Sequence, residues 1–329
     1  MVTRQLICGL ASLCGLAVAL GSVARAADQP CAGHSASIAP LAAQSLLLDG
    51  AVDDALAIVV GERGHILRSD DGGHEWQQVV PPARATLTAV TSIGADVWIA
   101  AGHDGVIVRS HDAGRSWTLA RCEPDARQPL LDVLAADGVV HAIGAYGLYL
   151  RSMDSGQTWA QHAVNPDEDF HLNAIVRLPN GGLLIAAEAG TAYRSDDAGE
   201  TWRNLETPYE GSYFSAIATA DGDIALLGLR GHLFRSVDDG ETWEALDTGT
   251  TAMLTAAVAL DEDRVLIAGL SGTLLEWSVA GQRIAALPQP DRKGLQRLLR
   301  MGDGSLVSVG EAGVRRVNLT STQPGTGGG

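Results

Sequence analysis

A serine, an aspartate, a glycine and a tryptophan recur along this chain at fixed intervals. The pattern Ser-x-Asp-x-Gly-x-(Thr/Ser/Glu)-Trp stands at Ser69–Trp76, Ser110–Trp117, Ser152–Trp159, Ser195–Trp202 and Ser236–Trp243, with starts 41, 42, 43 and 41 residues apart. A carboxylate beside a hydroxyl invites an active-site reading, but a site is needed once and this box comes five times. Repetition at one period near forty residues assigns it to a stacked or closed repeat architecture. The chemistry it performs is local. The aspartate accepts backbone N–H bonds across a tight hairpin, the glycine takes a left-handed conformation, and the indole caps the hairpin against a neighbour. Asp71, Trp76, Asp112, Trp117, Asp154, Trp159, Asp197, Trp202, Asp238 and Trp243 are therefore read as structural. The arginine before each box (Arg68, Arg109, Arg151, Arg194, Arg235) is expected to pack on a tryptophan or pair with an acid.

The box resembles the Asp box of bacterial neuraminidase repeats, which in the families that carry it lies on the blade periphery, remote from any active site. A sialidase also needs three arginines for the substrate carboxylate and a Tyr/Glu nucleophile pair. Tyr146, Tyr209 and Tyr213 offer phenols and Glu188 or Glu210 a base, but no constellation joins them, and the Arg-Ile-Pro string typical of sialidase N-termini is absent. A carbohydrate-binding or glycosidase-like propeller is the alternative. Six of the seven tryptophans sit in boxes or their equivalent, which leaves few aromatics for sugar stacking. The nine histidines show no metal-ligand spacing, and neither a nucleotide loop nor a Ser-His-Asp arrangement is visible. The expectation is no enzyme, no cofactor and no metal.

The elements that carry the boxes follow from a second repeat. Gly-x-x-Gly followed by a short apolar run occurs at Gly61, Gly102, Gly144, Gly228, Gly269 and Gly310, with Ala187 in the same place of the fourth unit, so there are seven units. In the first, strands are expected at Leu46–Val52, Ala55–Val60, Ile66–Arg68 and Trp76–Val80, separated by turns. Four strands per unit, the inner ones rich in Ala, Val and Leu because neighbours cover both faces, make a propeller blade. The fold class is all-β: a seven-bladed β-propeller of four-stranded antiparallel blades over residues 27–320. The seventh unit stops after its third strand, so Ser35–Ala39 is expected to supply its outer strand and close the ring. Residues 321–329 read as a disordered Gly-rich tail.

Residues 1–26 have the form of a cleaved signal peptide, with Arg4, an apolar run from Leu6 to Val23 and the small-x-small site Ala24-Arg25-Ala26. Export leaves Cys31 and Cys122 in an oxidising compartment where a disulfide is permitted. No other segment is long enough to span a bilayer, so direct membrane insertion after cleavage is not expected. The formal charge of −16, with a single lysine, disfavours nucleic acid as a partner.

The strings GERGHILRSDDGGHEW, GHDGVIVRSHDAGRSW and GLRGHLFRSVDDGETW, within a region covering residues 35–319, resemble the photosystem II stability/assembly factor family of the high-chlorophyll-fluorescence type. Members are exported seven-bladed propellers, found also in non-photosynthetic bacteria beside transport systems of the RND superfamily. The resemblance implies a monomeric, non-enzymatic scaffold or assembly factor that binds a membrane-protein subunit, located in the periplasm or, in a photosynthetic host, the thylakoid lumen. An arginine-rich patch is implicated in the photosynthetic members. Blade geometry here puts the box hairpins and first-to-second-strand turns on one face, which collects Asp53, Asp54, Asp96, Asp137, Asp221, Asp223 and further acids. The other face carries the second-to-third-strand turns and blade connectors. It holds Arg63, Arg84, Arg121, Arg127, Arg230, Arg292 and Lys293, which are the candidate partner-binding residues.

Overall fold

The computed structural model describes residues 35, 37–94 and 96–319. The expected signal segment, Cys31 and the expected tail lie outside them. Each repeat folds into one antiparallel sheet. In the first blade Leu47–Asp53, Leu56–Gly61, Ile66–Ser69 and Gln77–Val79 pair in chain order, each within a residue or two of the expected strand. The first strands of the other blades are Leu87–Gly94, Leu130–Ala136, Leu172–Arg177, Tyr213–Ala218, Leu254–Ala259 and Leu295–Arg300. They stand side by side with Leu47–Asp53 in a closed ring, the last against the first. Seven antiparallel sheets around one axis make a seven-bladed β-propeller. Among the described residues the only helices are single 3-10 turns.

The second strands explain why the blades stack. Leu183–Ala187 and Ile224–Gly228 are buried at every position, because a blade on each side covers both faces of the sheet. The core is accordingly divided among the blade interfaces. Ile58, Val60 and Ile66 of blade one pack on Leu87, Val90, Trp98 and Val108 of blade two. Leu47, Val59 and Leu67 pack in the same way on Leu299, Val307 and Val309 of blade seven. Each buried Leu or Val contributes roughly 1.5–3 kcal/mol, so apolar contact between successive blades dominates the stability.

The Gly-x-x-Gly signal has two separate causes. A Cβ on Gly61 would collide with the carbonyl oxygen of Leu46, where the connector enters the blade. Gly64 sits at φ +72 in the turn that follows, a conformation that glycine adopts without penalty.

Ring closure departs from expectation. Among the described residues the seventh sheet has three strands, Leu295–Arg300, Leu306–Gly310 and Gly313–Val317, and neither Ser35 nor Ser37–Ala39 joins it in a ladder. Instead Gln78 of blade one grips this segment, accepting the Ala39 amide at 2.7 Å and donating to the Ser37 carbonyl at 3.1 Å. Ala39, Ala42 and Ala43 then pack into the apolar cluster between blades one and seven. Side-chain hydrogen bonds and apolar contact do the closing that strand pairing was expected to do.

Candidate functional site

Two groups of polar residues meet at one end of the propeller: the turn tips of the connector face and a charged ring inside the central channel. The boxes take no part in either. Asp197 accepts the Thr201 amide at 2.9 Å and the Thr201 hydroxyl at 2.6 Å. Ser195 donates to the same carboxylate at 2.8 Å and accepts the Gly199 amide. The Thr201 hydroxyl and amide hold the Asp197 carboxyl down at about 2. The indoles of Trp76, Trp117 and Trp159 donate to the carbonyls of Gly73, Gly114 and Gly156. All this satisfies the hairpin itself.

The arginines before the boxes reach further than their sequence suggests. Arg68 donates to the Ala113 carbonyl and Arg109 to that of Ser155, each at 2.8 Å in the box of the following blade. Arg194 takes both the carbonyl and the carboxylate of Asp239, at 3.0 and 2.7 Å. Arg151 likewise meets Ala198 and Glu200. Blade six has no box, and Arg235 turns back onto Asp223 of its own blade at 2.8 Å. Asp223, expected on the exposed acidic rim, is therefore a buried partner in an ion pair.

On the connector face the second-to-third-strand turn of each blade lies against the connector to the next. The Cβ position of Gly64 falls 3.2 Å from Arg84 Cα, which brings the tip of blade one beside the Arg84 connector. Arg63 and Arg230 occupy turn tips at φ 56 and 57, in the left-handed region that non-glycine residues seldom enter, so their side chains project outward. Arg127 sits at φ 49 after the turn Pro124–Ala126. Arg63, Arg84, Arg127, Arg230, Arg292 and Lys293 are exposed, and none forms a salt bridge among the described residues. Arg121 differs: it is half-buried, donates to the Gly105 carbonyl at 2.9 Å, and burial lowers its pKa. Except for Arg230, the free cations fall on one arc, formed by blades seven, one and two and their connectors.

The arc opposite is aromatic. Tyr146, 55% exposed at the tip of blade three, stands edge-on to His171 at 4.9 Å, and His171 pairs with Glu188 at 3.4 Å. Tyr209 packs on His232 at 4.4 Å. Tyr213 lies buried beneath them, and burial pushes its phenol up to about 12, the wrong direction for a phenolate nucleophile. Cys122, also at this end, is disulfide-bonded, and its partner lies outside the described residues.

The channel ring was not anticipated. Each first strand carries a register shift just after its first residue, as between Leu47 and Asp49 or Leu295 and Arg297. Such a bulge re-aims side chains. Consecutive residues then line the channel where alternation would show only one, as Leu48 with Asp49, Leu131 with Asp132 and Gln296 with Arg297. The third residues of the seven strands are Asp49, Ala89, Asp132, Ala174, Ser215, Ala256 and Arg297, and of these Asp49, Asp132, Ala174, Ser215 and Arg297 line the channel at its waist. Arg297 Nε meets Asp49 at 3.1 Å, and Asp49 also accepts the Val90 amide of blade two at 2.8 Å. Asp132 accepts the amides of Val133 and, across the interface, Ile175, both at 2.8 Å.

Burial and the neighbouring charge of Asp49 raise the Asp132 carboxyl to about 7, against the opposing pull of Arg297. Burial also raises Asp49, opposed first by Arg297. The Arg297 side chain keeps 44% of its surface open to the channel, so channel water screens this charge. The cavity on the connector side of the waist measures about 270 Å³. A second, of about 310 Å³, lies toward the box face. Among the described residues no three His, Cys, Asp or Glu side chains come together in a metal-binding group. No helix there is long and apolar enough to cross a membrane.

No family model and no curated protein matches this sequence. Solved structures do share the fold. YCF48 bound to a D1 peptide superposes with TM-score 0.69 at 19% identity, over 84% of this chain and 94% of that one. The WD40 propeller domain of Doa1 gives 0.67 at 14%, over 88% and 97%. Streptogramin B lyase, an enzyme, gives 0.74 at 13%, over 87% and 96%. At these identities the likeness is one of architecture: the chain shares the closed propeller with proteins of different kinds, one of them a lyase.

Proposed function

We propose that this chain is an exported, monomeric, non-enzymatic propeller that binds an acidic segment of a membrane-protein partner on its connector face, as a scaffold or assembly factor. The observation that carries the reading is the contrast between two sets of arginines. Those beside the boxes are tied to neighbouring blades, whereas Arg63, Arg84, Arg127, Arg292 and Lys293 stand exposed and unpaired on one arc of a chain of net charge −16. Guanidinium groups fork onto carboxylates and stack on aromatics, which suits a specific contact. The aromatic arc of Tyr146, His171 and Tyr209 completes a face rich in the residue types that anchor interfaces. The structural likeness to YCF48, solved with a D1 peptide, supports a peptide as the thing bound. Export, to the periplasm or a thylakoid lumen, rests on the Arg4 to Ala26 pattern. Selection of displayed peptides against the immobilised protein tests the reading: acidic sequences are expected, and their binding should require the arginines and weaken with salt.

A further inference from the structure

We propose that the connector-side mouth of the channel is a binding site for an alkylammonium group, with Asp132 as its counter-ion and the Ser215 hydroxyl as a neutral acceptor beside it. Two independent observations carry this. The waist holds two carboxylates and one guanidinium, and the guanidinium is engaged by Asp49 at 3.1 Å, which leaves Asp132 facing the cavity with amide partners only. Ser215, on the same ring, is 5% exposed and lines the cavity, and its hydroxyl has no hydrogen-bond partner among the described residues. Its oxygen opens onto the channel, where a ligand N–H can take the place of channel water.

The chemistry of the site selects the class of ligand. With all three groups ionised the ring is one negative charge in excess, so a monocation balances it. A hard divalent ion would need six or more oxygens, and here a guanidinium shares the ring with one uncommitted carboxylate. Above the waist Leu48, Leu131 and Phe214 present apolar surface suited to methylenes. Thr88, Asn173 and Thr255 donate to the carbonyls of Leu130, Tyr213 and Leu295, so their oxygens remain available as acceptors. A volume of about 270 Å³ suits a lysine-sized chain better than a cofactor. The alkylammonium comes either from a free amine or from a lysine side chain of a bound protein. The site does not depend on the arginine arc.

The test is a ligand-observed NMR titration with n-butylammonium and with the amide of N-acetyl-lysine, against wild type, Asp132→Asn and Ser215→Ala, with butyrate as the anionic control. Both cations should bind wild type saturably. Binding should weaken at least tenfold in Asp132→Asn and measurably in Ser215→Ala, whose loss of one hydroxyl leaves the ring charges intact. Because Asp132 titrates near 7 beside Asp49 and Arg297, affinity for the cations should fall about tenfold per pH unit below that value. Preference for the lysine derivative assigns the site to a partner's side chain, and equal binding or preference for butylammonium to a free amine. Absence of binding to wild type, undiminished binding to a folded Asp132→Asn, or tighter binding of butyrate overturns the proposal.

Discussion

Arg297 of the last blade meets Asp49 of the first at 3.1 Å, so an ion pair crosses the seam where the two ends of the repeat array join. Asp49 passes the contact on to blade two through the Val90 amide. One carboxylate thus ties three consecutive blades around the closing point.

Replacing Arg297 by Met should lower stability by about 1–3 kcal/mol. That lies above a surface pair and below a dry buried one, because the guanidinium is partly solvated while Asp49 is not. The double variant with Asp49→Asn should lose less than the sum of the two single changes, since it removes the stranded charge. Denaturant unfolding of the three variants measures this, and strict additivity would contradict a coupled pair.

Acid stability should reveal two groups pulling in opposite directions. Asp132 is raised from 3.8 to about 7, so between those values the folded chain binds the proton more tightly and stability falls as pH rises. His141 is fully buried against the Tyr149 hydroxyl at 2.9 Å. Burial and then the charge of Arg151 lower it from 6.5 to about 4, so stability is lost as pH falls through that window. The wild-type melting temperature should therefore vary little from about pH 4 to about pH 6.5. Asp132→Asn should make it rise with pH, and His141→Gln should make it fall. Three parallel melting curves would show that neither group carries the shift.

The blade clamps give a sharper contrast. Arg194 is almost wholly buried and bonds Asp239 of the next blade twice and Asp196 of its own blade once. Arg194→Met should cost about 1–2 kcal/mol, because it removes the clamp on the Asp239 carbonyl, whereas the Asp196 and Asp239 carboxylates are largely exposed and turn to water. Arg203, half-exposed and 3.3 Å from Glu241, should cost under about 0.5 kcal/mol on the same change. Comparable losses would mean that the clamp is no stronger than a surface pair.

What the sequence reveals and what it hides divide along physical lines. The boxes and the Gly-x-x-Gly turns depend on neighbours a few residues away, so Asp71 to Trp76 and Gly61 to Gly64 announce their hairpins directly. Arg68, Arg109 and Arg194 announce only that they need a partner, because the box each grips is some 45 residues on and is fixed by blade stacking. The channel ring is hidden for another reason. Alternation in a strand assigns one residue of each neighbouring pair to the channel, and the bulge after Leu47 and its equivalents admits both. Aligning the seven first strands would have shown Asp49, Asp132 and Arg297 at a position otherwise held by Ala or Ser, a signal that single-strand reading passes over. Among the described residues Ser35 and Ser37–Ala39 form no ladder with the last blade; spacing alone locates a segment without saying which groups hold it, and Gln78 does so here.

The disulfide at Cys122 yields a thiol prediction. Unfolded without reductant, the chain should leave Cys122 unlabelled by iodoacetamide. If Cys31 is the partner, as cleavage after Ala26 would require, Cys31→Ser should expose Cys122 to complete labelling. A protected Cys122 in that variant would exclude the pairing.

The central claim is that the arginine arc holds an acidic partner, and charge reversal tests it most directly. Peptides selected against wild type should lose at least tenfold in affinity for the triple variant Arg63→Glu, Arg84→Glu and Arg127→Glu, whose melting temperature should stay close to wild type because these exposed side chains bury little. The control neutralises the opposite rim, Asp96→Asn, Asp221→Asn and Asp303→Asn, and leaves Asp223 alone because Arg235 depends on it. The account predicts loss in the first variant and none in the second. Equal binding by the arginine triple, or loss confined to the acidic-rim control, would contradict it.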